Sequence, residues 1–246
     1  MQAIVAAFAF LTRIPVSGGR VREVDLGRSV AVFPVVGLVL GLGVTGLVFG
    51  LRPWLPPLLV SVFAVALLAA LTGGLHLDGF ADVFDAVGGG RGDRARMLAI
   101  MRDSRIGAHG AAALILLLLA KVLALGQAVQ ARDFVTLLAF PAIARFTVVP
   151  LIVLFPYARR EGLGRAFSGE AGRPQLAIAA AILLVTVAVL GARLAVPAAG
   201  ATLGVFLLGL WMRRQLGGLT GDVYGAAIEL SEVIVLTVMA IFSAGR

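Results

Sequence analysis

The residues with the most chemistry to offer lie between Leu71 and Val87, a stretch that reads LTGGLHLDGFADVFDAV. It sets His76, Asp78, Asp82 and Asp85 in a row just after an apolar run. From Asp78 the acids fall at i, i+4 and i+7, so a helix here carries three carboxylates on one face. Like charges in that arrangement repel unless something positive sits between them. A hard divalent cation such as Mg²⁺ is the natural occupant, because it takes carboxylate oxygens and keeps positions open for substrate phosphates. Gly73 and Gly74 precede the acids and Gly79 sits among them, which lets the backbone bend and a ligand approach closely. A plain acidic helix start is favoured by the helix dipole, but it accounts for one carboxylate rather than three.

Two further groups stand out. Arg91 to Gly110 reads RGDRARMLAIMRDSRIGAHG, a short amphipathic helix with Met97, Ile100 and Met101 apolar, then a polar turn. That turn holds Arg102, Asp103, Arg105, Gly107 and His109. Arginines beside glycine-rich backbone at a helix start make an anion site, which selects Arg102 and Arg105 as phosphate contacts. Later, Asp222, Glu229 and Glu232 fall at i, i+7 and i+10, again one helical face. Lys121 and Arg145 interrupt apolar stretches. A charge at membrane depth costs at least ~2.5–3.5 kcal/mol, so each needs a partner. Arg145 paired with Glu229 or Glu232 is one reading; a second acidic wall facing the first across a cation is the other, and the two are compatible.

The elements that must position these residues are membrane helices. Of 246 residues, 60% are hydrophobic and 14% charged, against about 25% charged in soluble domains. Mean hydropathy is +1.03. The chain therefore reads as all-α, a single integral membrane domain over residues 1–246. With no cysteine, disulfides, iron–sulfur clusters and thiolate zinc sites are excluded. The net charge of +8 sits in short loops and is explained by topology, with no need of nucleic acid. The apolar N-terminal residues are too few to span, which takes about 20; they read as a short interfacial or re-entrant helix, with no cleaved signal peptide.

Seven spans are expected: Ser29–Leu51, Leu58–Leu75, Gly110–Val129, Phe134–Phe155, Pro174–Ala192, Ala195–Trp211 and Tyr224–Ser243. Arginines in the segments around them run 4, 1, 5, 1, 4, 1, 2, 1 from N- to C-terminus. That alternation predicts a cytoplasmic N-terminus and an outside C-terminus. It also places the motif-bearing loops on the cytoplasmic side, as in a membrane enzyme fed from the cytosol. In the first span, Gly37, Gly41, Gly43, Gly46 and Gly50 predict close helix packing.

Three blocks, TGGLHLDGFADVFDA, MRDSRIGAHG and GLTGDVYGAAIELSE, with the early FLTRIPV (Phe10 to Val16), resemble the cobalamin synthase family, the adenosylcobinamide-GDP ribazoletransferases. The resemblance covers nearly the whole chain. It implies a Mg²⁺-dependent transferase in the inner membrane of a prokaryote, with its active site facing the cytoplasm. The implied partners are adenosylcobinamide-GDP, α-ribazole or its 5′-phosphate, and the lipid bilayer; a homo-oligomer is compatible with it. On this resemblance Asp78, Asp82 and Asp85 are metal ligands, joined by Asp222 and Glu232. His76 and Asp82 are the catalytic candidates. Gly73, Gly74, Arg102, Asp103, Arg105, His109 and Arg145 are expected to contact substrate.

A CDP-alcohol phosphotransferase runs the same kind of displacement, but Ala81-Asp82 stands where its motif has Ala-Arg, and the later spacing fails. Two acidic walls also suggest a prenyltransferase. A cation-coupled transporter is the rival of a different class; the one-sided placement of the motifs and the lack of an internal repeat argue against it.

Overall fold

A computed structural model of the chain describes residues 2–16, 23–159 and 163–244. Arg20, Arg22, Arg160 and Arg246, counted above among the loop charges, lie outside them. Twelve α-helices are described: α1 (Gln2–Leu11), α2 (Glu23–Ser29), α3 (Phe33–Leu51), α4 (Pro57–Thr72), α5 (Leu75–Gly90), α6 (Arg94–Ile100), α7 (Ala108–Gln130), α8 (Phe134–Leu154), α9 (Leu163–Glu170), α10 (Arg173–Leu190), α11 (Ala195–Leu216) and α12 (Gly221–Ala244). Among the described residues, six helical stretches are long and apolar enough to cross a membrane, or seven if α4 and α5 count together. The expected all-α polytopic bundle is therefore present, and α1 is the short N-terminal helix.

The second expected span is where the structure differs. The apolar pattern predicts a helix through Leu75, but α4 stops at Thr72 and the chain turns by 92° into α5. Gly73 and Gly74 sit at φ +63° and +71°, the left-handed region where a Cβ is penalised. The glycine pair therefore ends the helix and turns the acidic stretch sharply away from the axis of α4.

α8 and α12 form the centre. α8 is buried over most of its length despite Pro141 and Pro150, whose freed backbone groups are tolerated inside a bundle. α3 lies against α8 because Gly37 and Gly41 leave no room for more: an added Cβ would run into the backbone at Ala142 and Leu138. Gly46 and Gly50 face open space instead, so the packing role holds for two of the five glycines.

The two intramembrane cations join three helices. Lys121 of α7 binds both Glu229 and Glu232 of α12, the latter at 2.7 Å, and Arg145 of α8 binds Glu232. All four are buried. Two positive and two negative charges cancel, which is how such groups persist at membrane depth. Thr147 and Ser231 add a hydroxyl pair at 2.6 Å between α8 and α12.

Several contacts gather the polar loops at one end. The Arg13 amide donates to Leu71 O (2.6 Å), tying the end of α1 to the end of α4. Arg94 of α6 donates to Leu216 O (2.6 Å) at the end of α11. The segment after α8 pairs with the one before α12, through Ala158 N to Leu219 O and Leu219 N to Pro156 O, both 2.8 Å.

Candidate active site

α5 is the floor of the site, and glycines set its distance from α12. An added Cβ at Gly79 would meet Asp222 O at 2.9 Å and Asp222 Cα at 3.0 Å; one at Gly225 would meet His76 at 3.2 Å. These two close approaches bring Asp78 and Asp82 beside Asp222. The crowding shows in Asp82, whose carboxyl is pushed up to about 7, first by partial burial and then by the negative charges of Asp222 and Asp78.

Asp222 is held in turn. Arg159 donates to its Oδ2 at 2.7 Å and Thr220 Oγ1 to the same oxygen at 3.2 Å. The paired loops at Tyr157 and Leu219 put Arg159 there. Asp85 points the other way: its two oxygens accept from the backbone N–H groups of Gly107 (2.6 Å) and Gly110 (2.7 Å) at the start of α7. The i+7 acid thus docks α5 onto a helix N-terminus, while Asp78 and Asp82 line a hollow.

That hollow is about 430 Å³ and is lined by Asp78, Asp82, Gly73, Gly74, Arg13 and Arg105, among others. Arg13 lies against Gly73, where an added Cβ would strike its guanidinium. Asp103 grips Arg105 with two oxygens, at 3.0 Å to Nε and 2.7 Å to Nη2, and that hydrogen bonding holds the Asp103 carboxyl down at about 2. Arg105 is thereby aimed although exposed. A second hollow on the far side of this turn holds Asp85, Asp103, Arg105 and His109.

The structure thus brings Asp78, Asp82, Asp222, Gly73, Gly74, Arg105 and, through Arg105, Asp103 together. Arg102 is exposed and lines neither hollow. His109 lies against Gly88, apart from Asp78 and Asp82. Two further candidates, Glu232 and Arg145, lie inside the bundle. Glu232 has both oxygens taken by Lys121 and Arg145, and Arg145 is spent on Glu232 inside the bundle. Neither faces the hollow, so the second acidic wall reduces to Asp222. His76 is buried, and among the described residues both its ring nitrogens are unpartnered.

Sequence reading passed over Arg13 and Arg159, which it counted as loop charges, and Tyr157 and Tyr224. Arg159 meets Asp222 across 63 residues, so local spacing carries no trace of the pair. Arg13 had one signal, its place inside FLTRIPV.

Among the described residues, no three His, Asp or Glu side chains close on one point. The donors present still suit Mg²⁺, which is commonly bound by one or two carboxylates with waters and substrate phosphates completing the shell. Asp78 and Asp82 are such a pair.

Fold and site together define a polytopic membrane protein whose carboxylates and arginines meet at one end of a helical bundle. The chain belongs to the cobalamin-5-phosphate synthase family, whose model matches residues 3–240. An adenosylcobinamide-GDP ribazoletransferase of Geotalea daltonii is 46% identical over 98% of both chains. Enzymes of the same description from Shigella boydii and Escherichia coli are 41% and 40% identical, over 94% of this chain and 96% of their own. No solved structure matches the chain significantly.

Proposed function

We propose that this chain joins α-ribazole, or its 5′-phosphate, to adenosylcobinamide-GDP in the nucleotide-loop assembly step of cobalamin biosynthesis. The 3′-hydroxyl of the ribazole attacks the phosphate carried by cobinamide, the P–O bond to the GMP portion breaks, and GMP leaves. The product is adenosylcobalamin or its 5′-phosphate. Family membership supports the reaction. The observation that carries the site assignment is the approach of Asp78 and Asp82 on α5 to Asp222 on α12, permitted by Gly79 and Gly225.

In this reading Asp78 and Asp82 are the residues that would hold Mg²⁺, with Asp222 beside them. The bound ion supplies neutralisation of charge on the substrate pyrophosphate. Arg13 and Arg105, on the wall of the same hollow, contact the phosphates as donors. Asp82 is also the group placed to take the proton of the attacking hydroxyl. Arg159 holds Asp222 in place.

The site end faces the cytoplasm of a prokaryotic inner membrane, as the arginine alternation indicates. The test is turnover by purified protein in detergent, with adenosylcobinamide-GDP and α-ribazole 5′-phosphate. Corrinoid product and GMP in equal amounts, lost on chelation and restored by Mg²⁺, are the expected result. GMP release with an unrelated acceptor only would keep the phosphotransfer and discard the corrinoid.

A further inference from the structure

A second cavity opens beside the first, and its character is opposite. It measures about 200 Å³ and shares Leu75 and Asp78 with the hollow described above. Arg159 and Asp222 also line it, so it adjoins the reacting end. The rest of its wall is apolar and aromatic. Phe10 of α1, Phe33 of α3 and Phe167 of α9 pack on one another, with ring centroids 4.3 Å (Phe10–Phe167) and 5.9 Å (Phe33–Phe167) apart. Tyr157 and Tyr224 form a second aromatic pair.

Two polar side chains break this wall. Among the described residues, the Tyr224 hydroxyl and both ring nitrogens of His76 have no hydrogen-bond partner, although their residues are only 4% and 3% exposed. A buried donor left unmade is costly, and an unsatisfied group in a native structure calls for an explanation. Here the groups line a cavity, so a ligand that enters it can satisfy them.

The proposed reaction supplies two flat bicyclic groups that could occupy such a place. Guanine presents a carbonyl, a ring N–H, an amino group and a ring nitrogen on its edges. Away from the end lined by Asp78, Arg159 and Asp222, the phenylalanine, valine and isoleucine walls would strand most of them. The benzimidazole ring of α-ribazole is apolar, carries two methyl groups, and has one free nitrogen that only accepts. A corrin is far larger than the cavity.

We propose, resting on the reaction assigned above, that this cavity takes the benzimidazole ring of the ribazole acceptor. The Tyr224 hydroxyl donates to its free nitrogen, and His76 lies against the same ligand. The ribose is thereby delivered toward Asp78, where the two cavities meet. The polar hollow with Arg13 and Arg105 is left for the nucleotide-diphosphate part of the other substrate. One substrate enters each side of the carboxylates.

The test separates the two substrates. In Tyr224→Phe, the KM for α-ribazole 5′-phosphate should rise about fivefold, as the loss of one net hydrogen bond requires, while the KM for adenosylcobinamide-GDP stays unchanged. Benzimidazole fluorescence gives a readout that needs neither Mg²⁺ nor turnover. Wild-type protein in detergent should bind α-ribazole alone, Tyr224→Phe should bind it more weakly, and GMP should not displace it. If GMP displaces α-ribazole competitively, or if Tyr224→Phe raises only the KM for adenosylcobinamide-GDP, the cavity belongs to guanine and the proposal is overturned while the reaction stands. If wild-type protein turns over neither substrate of the pair, the reaction itself has failed.

Discussion

Asp82 carries the most direct consequence at the scale of single residues. Replacing it by asparagine keeps its size but removes a negative charge and a proton acceptor from a partly buried group crowded by Asp78 and Asp222. Turnover should fall about 10²–10⁴-fold, with the melting temperature in detergent no lower than wild type; near-normal turnover would remove Asp82 from the chemistry. Glu232→Gln should do the reverse. It leaves Lys121 and Arg145 with one carboxylate between them, Glu229, and breaking such a buried network costs about 3–5 kcal/mol. The expected sign is a large drop in melting temperature. A stable but inactive Glu232→Gln protein would restore Glu232 to the metal site. Arg105 is exposed and gripped by Asp103, so Arg105→Ala should raise the KM for the GDP-bearing substrate and leave folding untouched. An unchanged KM would reduce it to a topology charge.

At the scale of elements, the relation of α5 to its neighbours makes the site. Gly79→Ala would press a Cβ onto the Asp222 backbone and move α5 off α12, and about 1 Å of displacement can cost about 10²-fold in rate. Gly74→Ala meets open space but sits at φ +71°, so it should cost about 1–2 kcal/mol of stability with a smaller effect on rate. Equal kinetic defects in the two variants would mean that the α5–α12 spacing is not what matters. The same relation marks the limit of what was legible in the sequence. α7, α8, α10 and α12 lie within a few residues of their expected bounds, because apolar length is a property of one segment. The paired glycines give the bend that their type suggests, and in giving it they also terminate α4. The acids at Asp78, Asp82 and Asp85 do share a helix, but α7 offers its free N–H groups to Asp85 alone, and a one-face pattern cannot tell which member a neighbour will claim. Glu229 and Glu232 look like site acids in sequence because with Asp222 they again fall on one helical face; what sets them apart is Lys121, over a hundred residues away.

At the scale of the whole molecule, the bundle has two unlike ends, and its sidedness can be tested without any substrate. The end of α1 is tied to Leu71, so the N-terminal helix lies with the site. α12 starts at that same end, at Gly221, and runs 24 residues away from it, about 36 Å at 1.5 Å per residue. The termini therefore lie at opposite ends if α4 crosses. α4 is the weak link, since its 16 residues reach about 24 Å against a hydrocarbon core of about 30 Å. Local thinning or snorkelling at its ends can absorb that mismatch. Arginine-rich segments alternate with segments holding a single arginine, and the proposed cytoplasmic placement of the site end rests on that alternation. Reporter fusions at Ala3 and Arg246 should thus report cytoplasm and outside respectively. Both on one side would make α4 and α5 a re-entrant pair and the chain a six-span protein. Opposite sides with the C-terminus in the cytoplasm would turn the carboxylates outward, away from any cytosolic supply of nucleotide-activated substrate.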